Sequence, residues 1–399
     1  MTQEMAMHDD IVILSAVRTP IGGFLGELQS LTASDLGKFV IQQVVIQSCI
    51  DPKQVDQVIM GCVLPAGQGQ APARQAALKA QLPPSVACTT INKVCGSGMQ
   101  SLIFAKNLIQ TEQAKVVIAG GMESMSNTPY LLNRARSGYR MGHNKLLDHM
   151  FLDGLEDAYT SGRLMGSFAE DSAQYYQIDR AQQDAFAIDS LQRACDAIKT
   201  GQFAAEIVPL TVQQKTQALT IHQDEQPLKA KLDKIPQFKP AFRADGTITA
   251  ANASSISDGA AALLLTRASY AKAKGFQPLA RIVDQAVYAG ETHLFTTAPV
   301  FAIQKLLQQC NWTIDQVDLF EINEAFAIVP MIAMHELDIP HEKLNIHGGA
   351  CALGHPLGTS GARIVVTLIH ALKQHKLKRG IAAICIGGGE ALAMAIELM

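Results

Sequence analysis

The sequence predicts an α/β fold: a sheet covered by helices on its faces, built from one unit used twice, with a long excursion between the copies. Three observations carry this. Short apolar runs alternate with amphipathic stretches, the same order of runs returns in the last third, and the stretch from Ser126 to Ala250 is richer in charge and glutamine. The elements follow in order. Ile11-Val12-Ile13-Leu14 is a buried strand, Leu36 to Ile46 has helical periodicity, and Val55 to Met60 is a strand. Gly98 to Ile109 reads as a helix and Lys115 to Ala119 as a strand ending at Gly120-Gly121. Such alternation predicts a mostly parallel sheet.

The C-terminal part repeats the plan. Val317 to Asn323 echoes Val55 to Gly61. A helix from Arg363 to Leu372 and a strand from Ile381 to Ile386, closed by Gly387-Gly388-Gly389, echo the helix at Gly98 and the strand before Gly120. In the excursion, Ser167 to Thr200 has helical character, with Asp179 as an N-cap and Gly201 as a stop. Leu228 to Pro240 reads as an irregular surface segment. An excursion of this length is expected to lie over a site.

Composition narrows the function. The 399 residues are 48% apolar, enough for a large core and two or three domains. Net charge is −3, from 33 basic and 36 acidic residues, which argues against a nucleic-acid binder. The eight cysteines, at 49, 62, 88, 95, 195, 310, 351 and 385, include no C-x-x-C pair, so a zinc ribbon is not expected. Scattered cysteines in a long chain point to free thiols and a reducing compartment. Met1 to Asp10 lacks the apolar run of a secretory signal and no segment is suited to span a bilayer, so a cytoplasmic location is expected.

Four segments carry chemistry. Asn92-Lys93-Val94-Cys95-Gly96-Ser97-Gly98 places a cysteine at a turn before a helix, where exposed N–H groups and the helix dipole favour thiolate. A buried structural cysteine beside a glycine turn is the alternative. Gly354-His355-Pro356-Leu357-Gly358-Thr359-Ser360-Gly361 is its C-terminal counterpart. If the halves pack about a pseudo-twofold axis, Cys95 and His355 face each other, and a Cys–His pair activates a thiol nucleophile. A hydrogen-bonded loop histidine is the bland reading. Cys385-Ile386-Gly387-Gly388-Gly389 ends a strand with exposed backbone N–H groups suited to an oxyanion. Asn323-Glu324-Ala325-Phe326 follows a strand; Asn323 is a site candidate or the N-cap of the next helix.

Together these segments resemble the thiolase family. The resemblance begins at Ala16-Val17-Arg18-Thr19-Pro20-Ile21-Gly22 and includes Gly120-Gly121-Met122-Glu123-Ser124-Met125-Ser126. Asn252-Ala253-Ser254 and Asp258-Gly259-Ala260-Ala261 belong to it too, with all four segments in family order over nearly the whole chain. It implies a duplicated α/β/α/β/α layered fold, with residues 1–126 and 250–276 as one half, 277–399 as the other, and 127–249 as an inserted loop domain. It implies an acyltransferase that condenses two acyl-CoA units or cleaves a 3-ketoacyl-CoA, with acyl-CoA and CoA as its partners and no metal or redox cofactor. Neither nucleic acid nor membrane is an implied partner, and the assembly would be a homodimer or homotetramer.

The resemblance also assigns roles. Cys95 would carry the acyl group as a thioester. His355 would take the Cys95 proton and help form one oxyanion hole, which a water on Asn323 would complete. Cys385 would move the α-proton of the second acyl-CoA. The N–H groups of Cys95 and Gly387 would form the second hole. Ser254 would lie near the pantetheine arm, with Phe242, Ala250 and Phe326 lining its tunnel. Leu164, Met165, Phe295 and Phe326 would crowd the acyl group, which favours short chains. The sequence departs from the family at Arg163-Leu164-Met165-Gly166, at Phe295 and at Ser255. These departures bear on the acyl pocket, so longer or dicarboxylic substrates stay open. Cys385 disfavours a decarboxylating condensing enzyme of the same fold, and the filled catalytic positions disfavour an inactive acyl-CoA-binding relative. No G-x-G-x-x-G follows the first strand, which disfavours a dinucleotide-binding dehydrogenase.

Overall fold

The computed structural model describes residues 9–213 and 218–399. The reading of Met1 to Asp10 as non-secretory therefore falls almost wholly outside the described residues. The first half contributes strands β1 (Ile11–Arg18), β2 (Gln57–Gly61), β3 (Ala87–Ile91), β4 (Val116–Ser124) and β5 (Ser257–Arg267). The second contributes β6 (Ala280–Ala289), β7 (Leu319–Ile322), β8 (Arg379–Ile386) and β9 (Glu390–Leu398). They form one continuous sheet in the order β3-β2-β4-β5-β1-β6-β9-β8-β7, with the short strand Gly22–Gly23 beside β5.

The seam between the halves is narrow: β1 and β6 pair only at Val12–Arg281 and Ile13–Ala280. Outward from that seam the strands correspond, β1 to β6, β5 to β9, β4 to β8 and β2 to β7. The repeat suggested by the sequence is thus real in space, with β3 as the unmatched strand.

The sheet is mixed rather than mostly parallel. Only β2–β3, β2–β4 and β7–β8 run parallel. Helical crossovers join β3 to β4 and precede β8, but β5 enters antiparallel between β1 and β4 after the long excursion. A three-residue turn joins β8 to β9 as a hairpin. Alternation of strand and helix does not reveal where a returning strand inserts, and that is why the parallel expectation failed.

Helices complete five layers. α1 (Ala33–Ser48) and α2 (Pro72–Lys79) cover one outer face. α3 (Ser97–Gln110) and α8 (Leu357–Gln374) pack on each other in the middle, each touching strands of both halves. α6 (Ala298–Cys310) and α7 (Ile328–Leu337) cover the other outer face. Every residue of α8 from Leu357 to Leu372 is buried, as a central layer requires. Thr32 and Asp35 form a capping box that starts α1.

Strand β4 does not stop at Gly120-Gly121 but runs on to Ser124. The glycines are there for close approach: a Cβ at Gly120 would lie 1.9 Å from the Ala261 carbonyl oxygen, and one at Gly121 would lie 1.9 Å from that of Gly358.

Among the described residues, 127–249 add no strand to this sheet. The helical stretch from Ser167 is two helices, α4 (Met165–Tyr175) and α5 (Arg180–Lys199). Gln177 adopts a left-handed φ of 53° and breaks the run. Asp179 then caps α5 in a box with Gln182, and Gly201, at φ 74°, follows its end. From Leu228 to Pro240 the chain finishes a short helix, Glu225–Lys229, and makes a 3-10 segment, Leu232–Gln237. Arg18 fastens this region to β1. Its Nε donates to Glu206 at 2.5 Å and its Nη atoms donate to Asp224 at 2.7 and 2.9 Å, all fully buried. Among the described residues, no helix is long and apolar enough to cross a membrane.

Candidate active site

One cavity of about 380 Å³ opens where the two halves meet the inserted region. Cys95, His355, Cys385, Gly387, Ser254, Ala250, Phe242, Leu164, Met165, Phe295 and Phe326 all line it. Of the expected site residues only Asn323 does not.

Cys95 sits between β3 and α3. The turn is tight: Val94, a β-branched residue, takes φ 45°, Lys93 N–H donates to Ser97 Oγ at 2.8 Å, and Ser97 Oγ donates to the Val94 carbonyl at 2.7 Å. A valine at positive φ is strained and is held there by its surroundings. The turn does not favour thiolate. Removal from water pushes the Cys95 thiol up to about 11, although the N–H groups of Gly387 and of Cys95 itself point at the sulfur and pull it back down. Desolvation outweighs the helix terminus here, so the thiol needs a base.

His355 precedes α8 and is buried on the cavity wall. Its backbone N–H donates to the Ser255 carbonyl at 3.1 Å. Burial, with Arg363 nearby, pushes the imidazole down to about 3, so the ring is neutral at ordinary pH. Its Nε2 has no hydrogen-bond partner among the described residues. Cys385 closes β8 and is buried; its thiol is raised well above the usual range by burial and then by the neighbouring Cys95 sulfur. Two thiols that oppose each other's ionisation lie on one site. Beyond Cys385, Gly388 and Gly389 adopt φ values of 93° and 84°, which the β8–β9 turn requires. The Lys93 ammonium pairs with the Glu390 carboxylate, joining the Cys95 turn to this turn.

Asn323 follows β7 and is wholly buried behind the wall. It does not cap the next helix, since α7 begins at Ile328 after Ala327. Arginine has only donors, so the Arg363 Nη2 contact at 3.5 Å fixes the Asn323 oxygen toward it. Asn323 Nδ2 is left facing away with no hydrogen-bond partner among the described residues. Ser254 is tied to this segment: its N–H and Oγ donate to the Ala325 carbonyl at 3.0 and 2.9 Å. Phe326 is edge-on to Phe242 and to Phe295, with centroids 6.0 and 6.3 Å apart.

Three residues that contact the site's polar groups or loops were not singled out in the sequence. Glu123 is the single charge in Val116–Ser124 and Arg363 the single Lys, Arg, Asp or Glu in the buried stretch Leu357 to Leu372, and that isolation was the available signal. Ser360 carried no signal beyond its place in the His355 loop. The site offers a thiol nucleophile, a neutral imidazole base, a second thiol for proton transfer and backbone N–H groups at the sulfur. Dry walls strengthen each of these interactions.

Residues 11–269 match the family described as Thiolase, N-terminal domain, and residues 276–398 match Thiolase, C-terminal domain. The chain belongs to the thiolase family. It is 46% identical over 389 residues to an acetyl-CoA acetyltransferase of Pseudomonas aeruginosa, covering 97% of this chain and 99% of that one. It is 47% identical over 401 residues to acetyl-CoA acetyltransferase 2 of Arabidopsis thaliana, covering 100% and 99%. The crystal structure of the Bacillus anthracis acetyl-CoA acetyltransferase superposes with a TM-score of 0.95 at 41% identity, covering 98% of this chain and 99% of that one. A thiolase from Ascaris suum in complex with coenzyme A gives 0.93 at 42% identity, covering 98% and 100%.

Proposed function

We propose that this protein is an acetyl-CoA C-acetyltransferase, catalysing the reversible condensation of two acetyl-CoA to acetoacetyl-CoA and CoA, and the reverse thiolysis of short 3-ketoacyl-CoAs. The observation that carries the reading is the convergence of Cys95, His355 and Cys385 on one apolar cavity. His355 Nε2 takes the Cys95 proton, and the sulfur attacks the thioester carbonyl carbon of the first acetyl-CoA. The carbon–sulfur bond to CoA breaks, and the CoA thiolate leaves with the proton from the imidazolium. The N–H groups of Cys95 and Gly387 hold the oxyanion. The His355 ring, neutral again, takes the proton of the Cys385 thiol, and the Cys385 thiolate removes the α-proton of the second acetyl-CoA. His355 and a water held by Asn323 stabilise the enolate oxygen, at roughly 3–4 kcal/mol for one good donor. The enolate carbon attacks the acetyl-Cys95 carbonyl, the carbon–carbon bond forms, and Cys95 leaves as thiolate and recovers its proton from the His355 imidazolium, while Cys385 stays as the thiol.

Ser254 accommodates the pantetheine arm, with Phe242, Ala250 and Phe326 along its path, and Leu164, Met165 and Phe295 around the acyl group. Among the described residues that line the cavity none is Lys or Arg, which disfavours a dicarboxylic substrate whose carboxylate would be buried unpaired. The chemistry calls for no metal or redox cofactor. The same reading takes 1–126 with 250–276, 127–249 and 277–399 as the three parts of the chain, in a cytoplasmic homodimer or homotetramer. The test is incubation with acetyl-CoA followed by peptide mass spectrometry and a thiolysis survey over chain length. Acetyl on Cys95 and turnover of acetoacetyl-CoA that survives exhaustive chelation support the reading. Label on Cys385 with Cys95 untouched would reverse the assignment.

A further inference from the structure

Glu123 does not line the cavity, yet it ties the His355 loop, which does, to the segment that follows β2. It lies near the end of β4 and is wholly buried. Its Oε2 accepts from Val63 N–H at 2.9 Å and from Gly358 N–H at 2.7 Å. Its Oε1 accepts from Leu64 N–H at 3.1 Å and from the Cys62 thiol at 3.6 Å. Cys62 to Leu64 follow β2 in the half that carries Cys95. Gly358 opens α8, three residues beyond His355. The junction has no room to spare: a Cβ at Gly358 would lie 2.7 Å from Glu123 Oε2 and 3.0 Å from Cys62 Cα.

From this geometry, and resting on the reading above, we propose that Glu123 is a positioning residue: its carboxylate clamps the His355 loop to the Cys95 half and sets the path of the proton between them. Burial pushes the Glu123 carboxyl up to about 7, and its four donors pull only part of that back, because bonds to a charged acceptor are the strong ones. The clamp spans the two halves where their sheets do not pair, since the seam at β1 and β6 holds only two residue pairs. The carboxylate also lies close enough to Cys95 to oppose ionisation of its thiol, which leaves the proton in place until His355 takes it.

The test uses Glu123→Gln and Glu123→Asp in the full-length protein. Steady-state thiolysis of acetoacetyl-CoA is measured together with the pH profile of Cys95 alkylation by iodoacetamide. Glutamine matches the shape but turns one acceptor end into a donor, so kcat should fall about 10- to 100-fold, the loss that a displacement of about 1 Å can cause. KM should stay within about 3-fold, since no substrate contact is lost. The alkylation midpoint should move to lower pH because the neighbouring charge is gone. Aspartate keeps the charge but falls short of Gly358, so kcat should drop while the alkylation profile stays with the parent. Parental kcat in both variants, or a lower melting temperature with kcat and the alkylation profile unchanged, would overturn the proposal. If the glutamine variant does not fold, the aspartate variant decides alone by the same criteria. A parent that neither becomes acetylated at Cys95 nor turns over acetoacetyl-CoA would instead count against the proposed function.

Discussion

The Nδ1 atom of His355 lies 2.5 Å from the Ser360 hydroxyl, and that hydroxyl donates onward to the Pro356 carbonyl at 3.0 Å. Because the Ser360 proton is committed to Pro356, Nδ1 is the protonated ring nitrogen and Nε2 carries the lone pair. That is the tautomer a base toward Cys95 needs. Ser360→Ala leaves a buried N–H without a partner, at about 1–3 kcal/mol. If that loss falls on the reacting geometry, kcat should drop by about 5- to 150-fold. Steady-state thiolysis with a circular dichroism check measures it. An unchanged kcat would show that the ring is held by packing alone.

The two cysteines should separate into different half-reactions. Cys385→Ala removes the proton-transfer thiol and leaves Cys95 and its N–H partners in place. Acetylation of Cys95, and exchange of label between CoA and acetyl-CoA, should persist. Condensation and thiolysis should fall by about 100- to 10,000-fold, the usual contribution of a positioned acid–base group. Cys95→Ser should lose both activities. Loss of Cys95 acetylation in Cys385→Ala would refute the division of labour.

Much of this was legible in the residues. Cys95, His355 and Cys385 each stand at the end or start of an apolar element, and a duplicated order of elements places such ends together. Asn323 was legible as a site candidate but not in its placement, because its amide is oriented by Arg363 from a helix 40 residues later. The reversed direction of β5 was not legible, since β5 finds its place between β1 and β4 only through tertiary pairing. The raised Cys95 thiol was not legible either. A helix terminus can be read from glycines and caps, whereas the dryness that outweighs it is made by Leu164, Phe242 and Phe326 from distant segments.

His347 predicts a pH dependence of stability. It is buried, 3.4 Å from His375 through their Nε2 atoms, and burial pushes it down to about 4. Unfolding lets it take a proton near its ordinary value of about 6.5. The unfolded state therefore binds more protons between those values, and stability must fall as pH drops through that window. The full effect is about 3 kcal/mol. Urea midpoints at pH 7 and pH 4.5 should converge more closely in His347→Gln than in the parent. An equal slope in both would assign the acid loss to other groups, such as His355.

Arg18 is the next residue to test for stability. Arg18→Met removes one cation and strands the Glu206 and Asp224 carboxylates in the interior. Breaking a buried pair from one side costs about 3–5 kcal/mol. The inserted region should loosen first, because both carboxylates belong to it. Hydrogen exchange should show early loss of protection over 203–213 and 218–221, ahead of the central helices α3 and α8. Protection lost evenly across the chain would mean that the ion cluster supports the whole fold and not this junction.

The acyl pocket gives the last prediction. Phe295 is 3% exposed and lies edge-on to Phe326, which lies edge-on to Phe242, so three rings close one end of the cavity. Apolar pockets separate substrates by only roughly 1–3 kcal/mol per methylene. A sharp preference for short chains therefore requires a ring that blocks the way. Phe295→Ala should raise kcat/KM for six-carbon and longer 3-ketoacyl-CoAs relative to acetoacetyl-CoA. The substitution should also cost about 3–5 kcal/mol in stability, as a Phe-to-Ala change in a packed site does, so the comparison belongs at low temperature. The ratio of the two specificity constants is the right readout, because partial unfolding lowers both equally. If the parent already prefers long chains, the rings do not set the limit. If the ratio does not move in Phe295→Ala, the block lies elsewhere on the wall, at Leu164 or Met165.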